Sequence, residues 1–135
     1  MNSFLIKRNV GFTLIELLIV MVILGLLASL VAPTMFSKVD SSKKDTAAAQ
    51  MQMLATSLDA YRLDVGKYPA SLEELRRSDV RGWDGPYIPR DIPLDPWGNS
   101  YVYRAPGEDK PYNLMSLGAD GRDGGEDNDA DIIFE

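Results

Sequence analysis

The chain has 135 residues, a formal net charge of −6, and neither cysteine nor histidine. Those absences remove a disulfide framework, the common zinc sites and any Cys-His or Ser-His-Asp catalytic machinery. The acid is concentrated at the C-terminus, which speaks against nucleic-acid binding, because that needs a basic face.

Residues 1–11, MNSFLIKRNVG, carry Lys7 and Arg8 and no acid. Positive charge on this flank places the N-terminus in the cytoplasm. Residues 12–36 are apolar, with Glu16 as their one charge. The uncharged run that follows it, residues 17–37, makes a helix of about 30 Å, the thickness of a bilayer's hydrocarbon core. A buried helix of a soluble protein is usually shorter and shows a polar face, which this run lacks after Glu16. A cleaved secretory signal would need small residues after the apolar core, which residues 28–32 could imitate. A carboxylate at the edge of the hydrocarbon is costly unless partnered. Glu16 is therefore either an interfacial residue snorkelling to the headgroups or half of an ion pair.

Pro33 lies inside the helical pattern and should bend it without ending it. The helix is expected to run on to about Val65. The polar stretch 38–45 leaves the membrane. Met51, Leu54, Leu58, Tyr61 and Val65 then recur in steps of three and four, one apolar face of a helix. Gly66 is the expected stop. Ser41 and Lys44 share a Ser-x-x-Lys spacing, but the Ser-Asp-Asn and Lys-Thr-Gly partners of that enzyme signature are missing. A solvated helix face is the better reading.

Ser71 and Glu74 form a capping-box pattern, so a short helix should start there and reach about Arg77. Residues 80–99 are rich in Gly and Pro and read as an ordered loop. Trp83, Tyr87 and Trp97 are expected to anchor it to the core. Residues 100–104 and 111–117 read as strands around a turn at 105–110, and residues 132–134 as a last short strand. The fold class is α+β: a long N-terminal helix, half membrane and half amphipathic, on a small C-terminal antiparallel sheet with ordered loops.

In residues 116–132, Asp120, Asp123, Glu126, Asp127, Asp129 and Asp131 face only Arg122. Folding these carboxylates together without a cation would be repulsive. Ca²⁺ takes carboxylate and carbonyl oxygens in flexible geometry, and glycines let a backbone fold round it. Mg²⁺ demands a tighter octahedron. The spacing is not an EF-hand, since Ile132 stands where that loop needs glycine, and it matches a calcium nonapeptide repeat only partly and once. A solvated acidic tail is the competing reading, and composition alone leaves the two open. The interleaved glycines and the returning Ile132-Ile133-Phe134 favour a folded metal loop.

Two sets of residues carry a family resemblance. Gly11-Phe12-Thr13-Leu14-Ile15-Glu16 resembles the processing signal of type IV pilins and pseudopilins. Asp95-Pro96-Trp97-Gly98-Asn99, Tyr101-x-Tyr103, Pro106-Gly107-Glu108, Ser116-Leu117-Gly118-Ala119-Asp120-Gly121 and Gly124-Gly125-Glu126 resemble the major pseudopilin of the type II secretion system. The resemblance implies a pilin-like fold. It divides the chain into a leader at 1–11, a transmembrane and filament-core helix at 12–36, and a periplasmic globular domain at 37–135. A prepilin peptidase would cut between Gly11 and Phe12 and methylate Phe12. Glu16 would pair with that new N-terminus, within a subunit or between neighbours, and set the register of assembly. Ca²⁺ would be held by the Leu117 carbonyl, Asp120, the Gly125 carbonyl, Asp127, and Asn128 or Asp129.

The function implied is non-enzymatic. The subunit would wait in the lipid bilayer of the inner membrane, then homopolymerise into a periplasmic pseudopilus that drives folded proteins across the outer membrane. Its partners would be minor pseudopilins, the inner-membrane assembly platform and, indirectly, the outer-membrane secretin channel. The alternative is a surface pilin for adhesion, motility or DNA uptake, against which the absent cysteine pair and the Asp/Gly tail both speak. A tethered hydrolase using paired carboxylates is disfavoured, because a glycine-spaced tail offers no cleft to raise one pKa.

Overall fold

The computed structural model describes residues 10–135. Most of the expected leader, with Lys7 and Arg8, lies outside the described residues. The elements run α1 (Leu14–Val65), a 3-10 turn η1 (Leu72–Leu75), β1 (Val102–Arg104), β2 (Asn113–Ser116), a 3-10 turn η2 (Asp127–Asp129) and β3 (Ile132–Ile133). Two compact units are distinguished, Met1–Lys38 and Val39–Glu135.

In the first unit, α1 is helical through Pro33. An 18-residue stretch of α1 has a mean hydropathy of 2.9, and none of it is buried. Length and composition suit a membrane span. Leu14, Met21 and Leu30 are each more than 70% exposed. Such a surface is stable only in lipid or against other apolar helices.

In the second unit, α1 supplies one wall of the core. Ala47, Met51, Leu54, Ala55, Leu58 and Tyr61 are buried, and Val65 packs at the edge. This is the face expected from the three-and-four periodicity, and each large side chain buried there contributes about 1.5–3 kcal/mol. Leu72, Leu75, Ile88, Tyr101 and Leu114 close the core from the other side. The helix ends as expected: Gly66 takes φ +91, which a side chain resists, while its N–H still reaches the Arg62 carbonyl at 2.8 Å.

The short helix after it differs from expectation. It is one 3-10 turn, and Ser71 makes no side-chain cap. Glu74 instead reaches back one residue further, accepting the Ala70 N–H at 2.7 Å. That satisfies an amide at the turn's entrance but leaves no reciprocal bond to lengthen the helix.

The proline-rich loop is ordered by hydrogen bonds from its aromatic residues. The Trp83 indole donates to the Glu74 carbonyl at 2.7 Å, and the Tyr87 hydroxyl donates to Asp64 at 2.8 Å. Tyr87 also stacks edge-on against Tyr61 and Trp83. The buried Ser57 hydroxyl lies 3.2 Å from the Tyr87 carbonyl, tying this loop to α1. Trp97 does not behave as expected. It is half-buried and stays outside the core cluster. The buried anchor of its segment is Asp95, 4% exposed.

The sheet has the order β1-β2-β3, antiparallel throughout. Tyr103 pairs with Leu114, and Ser116 with Ile132. The strands are shorter than the apolar runs suggested. Pro111 has no N–H for the ladder, and its carbonyl instead accepts Gly107 N–H at 3.3 Å to close the turn. Leu114 turns into the core, and Phe134 extends β3's pairing by donating to the Leu114 carbonyl at 2.9 Å.

Candidate functional site

Two places carry the residues singled out by sequence, one in each unit. At the start of α1, Thr13 and Glu16 form a reciprocal capping box. The Glu16 N–H donates to Thr13 Oγ1 at 3.2 Å, and the Thr13 N–H donates to Glu16 Oε2 at 3.4 Å. Two amides with no partner inside the helix are thereby satisfied, and the carboxylate sits where the helix dipole favours negative charge. The Thr-x-x-Glu spacing could have revealed this arrangement. The other carboxylate oxygen, Oε1, has no hydrogen bond among the described residues. A Cβ added at Gly11 would meet nothing within 4 Å, so packing among the described residues does not require glycine there.

The second place is the loop between β2 and β3. It is folded, and its two arms are cross-linked by the Ala119 N–H donating to the Asn128 carbonyl at 2.8 Å. Gly118 lies where the arms meet. Its φ is +74, and a Cβ there would stand 2.7 Å from the Ala130 carbonyl and 2.8 Å from that of Asn128. No larger residue fits without moving backbone. The Asp120 carboxylate accepts the Arg122 N–H at 3.0 Å, and Asp127 has φ 53, a left-handed conformation that Asp tolerates better than most residues.

Of the expected ligands, Asn128 is tied by its carbonyl to Ala119, on the arm that carries Leu117 and Asp120. Gly125 packs against the Asp129 backbone, and Asp127 opens η2. Asp120, Asp127 and Asp129 are exposed. Among the described residues no three carboxylates converge at metal-ligating distances, so a cation here would need backbone carbonyls as well. The donor set is all oxygen, which suits a hard cation.

Sequence reasoning counted Asp131 in the acidic loop but left it out of the expected ligand set. One of its oxygens accepts the Gly124 N–H at 3.0 Å, while the other, Oδ1, is buried with no partner. It also overlooked the roles of Asp95, Asn99 and Ser116, which bind this loop from below. Asp95 accepts the Ser116 hydroxyl at 2.7 Å, and the Asn99 side chain donates to the Gly118 carbonyl at 3.1 Å. Nothing in their spacing signals it, because the partners lie about twenty residues apart.

Burial lifts the Tyr101 hydroxyl to about 12, with the nearby Asp95 charge adding to it. Burial also lifts Tyr112 to about 12, assisted by Asp59 and then Tyr68.

Comparison with known proteins gives a consistent picture. Residues 34–135 match the family model for type II secretion system protein G, and residues 6–32 match the prokaryotic N-terminal methylation motif. A type II secretion system core protein G of Pseudomonas aeruginosa is 44% identical over 134 residues, covering 93% of this chain and 94% of that one. One from Vibrio cholerae is 38% identical, covering 93% and 91%. The crystal structure of the major pseudopilin from the type 2 secretion system of enterohaemorrhagic Escherichia coli superposes with a TM-score of 0.62. It is 31% identical and covers 73% of this chain and 90% of that chain.

Proposed function

This chain belongs to the type II secretion system protein G family, and from that premise we propose that it polymerises as the structural subunit of a periplasmic pseudopilus that moves folded proteins outward. The observation that carries the reading is the exposed apolar surface of α1 between Leu14 and Lys38. That surface requires one of two surroundings, lipid before assembly or the helices of neighbouring subunits after it. Filament formation exchanges the first for the second, with close packing replacing lipid contact.

Processing at Gly11 would expose an ammonium on Phe12. Glu16 holds its own helix start with one oxygen, and the other is suited to accept a neighbour's ammonium. The Glu16 charge would then be paired only when a subunit is in register. The glycine at position 11 is not demanded by packing among the described residues, which agrees with its being read by a peptidase. Anchoring in the inner membrane, with the Val39–Glu135 unit on the periplasmic side, follows from the basic N-terminal flank. The role is structural, and no residue is assigned to catalysis. Minor pseudopilins, the assembly platform and the secretin belong to the same proposal.

The β2–β3 loop would bind one Ca²⁺ through the Leu117 and Gly125 carbonyls, Asp120, Asp127, and Asn128 or Asp129. The all-oxygen donor set supports this, as do the glycine turns and the unpartnered buried Asp131 oxygen. The cation would draw Asp120 and Asp127 inward and fasten the loop.

The test is expression of the full chain with a type II secretion system lacking its own major pseudopilin. Mass spectrometry should find a methylated Phe12 terminus, and electron microscopy should find filaments. Glu16→Ala should insert and be processed but yield no filament. Normal filament yield from that variant would refute the register role. Filaments displayed on the cell surface without rescue of secretion would refute the secretion role. For the cation, Ca²⁺ at about a hundred times its dissociation constant should stabilise the chain by roughly 2.7 kcal/mol. Mg²⁺ should not reproduce this, and Asp120→Ala should abolish it.

A further inference from the structure

We propose that the segment 95–99 is a platform that pre-sets the cation-binding arm of the β2–β3 loop, with Asn99 as its positioning residue; this rests on the cation reading above. The platform is closed on itself. The Asp95 N–H donates to the Asn99 carbonyl at 2.8 Å, and the Gly98 N–H to the Asp95 carbonyl at 2.9 Å. The buried Asp95 carboxylate gathers three neutral donors. Oδ1 accepts the Trp97 and Asn99 N–H groups at 3.1 and 2.8 Å, and Oδ2 accepts the Ser116 hydroxyl at 2.7 Å.

From this base Asn99 reaches the arm at two points. Its Nδ2 donates to the Gly118 carbonyl at 3.1 Å. A Cβ at Gly121 would lie 3.2 Å from both polar atoms of the Asn99 side chain, so the amide lies directly against that residue. Ser116 adds a third point, its hydroxyl oxygen accepting the Gly118 N–H at 3.3 Å.

The arm is therefore held on both sides of the two expected ligands it carries, Leu117 and Asp120. Leu117 stands between Ser116 and Gly118, each bonded to the platform. Asp120 stands between Ala119, tied to Asn128, and Gly121, seated on Asn99. A peptide whose two neighbours are held cannot freely rotate its carbonyl. The Leu117 carbonyl is restrained before any cation arrives, and less ordering entropy is spent on binding. Partners of this kind, one step behind the ligands, change metal affinity by about 10–100-fold when removed.

The test uses the full-length chain in detergent. Calcium affinity is measured by titration calorimetry, and amide exchange is measured in chelator. Asn99→Ala should bind Ca²⁺ about 10–100-fold more weakly, and its Gly118 and Ala119 amides should exchange faster with no calcium present. Ser116→Ala should do the same, which guards against a folding failure of the first variant. Ile88→Val, a core change away from the arm, should lower the melting temperature and leave the affinity alone. Unchanged affinity in both platform variants would overturn the proposal, as would unchanged exchange. If the wild-type chain bound no Ca²⁺, the cation reading would fall. The platform would then stand or fall on the exchange measurement alone.

Discussion

Replacing Asp95 by alanine removes the acceptor of three donors at once, the part-buried amides of Trp97 and Asn99 and the buried hydroxyl of Ser116. Each buried donor left without a partner costs about 1–3 kcal/mol. Two effects reduce the sum. Water entering the small space left by the side chain recovers part of it, and the desolvation cost of keeping a carboxylate 4% exposed disappears. The net expectation is a loss of about 3–5 kcal/mol, set by the donors left without an acceptor. Asp95→Asn keeps the acceptor for the two amides and disturbs only the Ser116 bond, so it should cost about 1–2 kcal/mol. For a domain of this size each kcal/mol moves the melting temperature by about 4–8 °C. Thermal unfolding followed by tryptophan fluorescence reads both variants against wild type. A loss under about 1 kcal/mol for Asp95→Ala would refute the reasoning. So would an Asp95→Asn variant as unstable as the alanine one, since the charge and not the hydrogen bonds would then be decisive.

Three further outcomes are expected. Thr13→Val removes the acceptor of the Glu16 N–H and should weaken the start of α1 by about 0.5–2 kcal/mol, seen as faster amide exchange at Glu16 and Leu17 in detergent, with the Val39–Glu135 unit unaffected. Leu54→Ala empties a fully buried position and should destabilise that unit by about 2–5 kcal/mol in urea titration. Tyr101 and Tyr112 ionise later in the folded chain than the ordinary value of 10, at about 12. Their contribution to stability is intact below pH 10 and is lost as pH rises toward 12. Alkaline unfolding should fall in that window, and Asp95→Asn should ease Tyr101 ionisation, both measurable by tyrosinate absorbance.

Much of the molecule was legible in the sequence because it is written in local patterns. The apolar run of residues 17–37 and the three-and-four spacing from Met51 to Tyr61 fix a helix and its buried face through a period every residue obeys. Gly66 ends the helix through its own backbone freedom, and Thr13 and Glu16 meet because one helical turn separates them. The hexapeptide at 11–16 and the Gly/Asp pattern near the C-terminus pointed to the family for the same reason. What the sequence left open depends on partners distant along the chain. Whether the acidic tail is solvated or folded was undecided by composition, and the cross-link from Ala119 to Asn128 decides it. That Asp95 and not Trp97 is the buried anchor follows from Ser116 arriving across the sheet edge to complete its hydrogen bonds. Glu74 caps Ala70 and not Ser71 because of the path the chain takes into η1, one residue off the local rule. Periodicity and caps are properties of neighbouring residues, whereas a buried carboxylate is tolerable only where the whole fold delivers its donors.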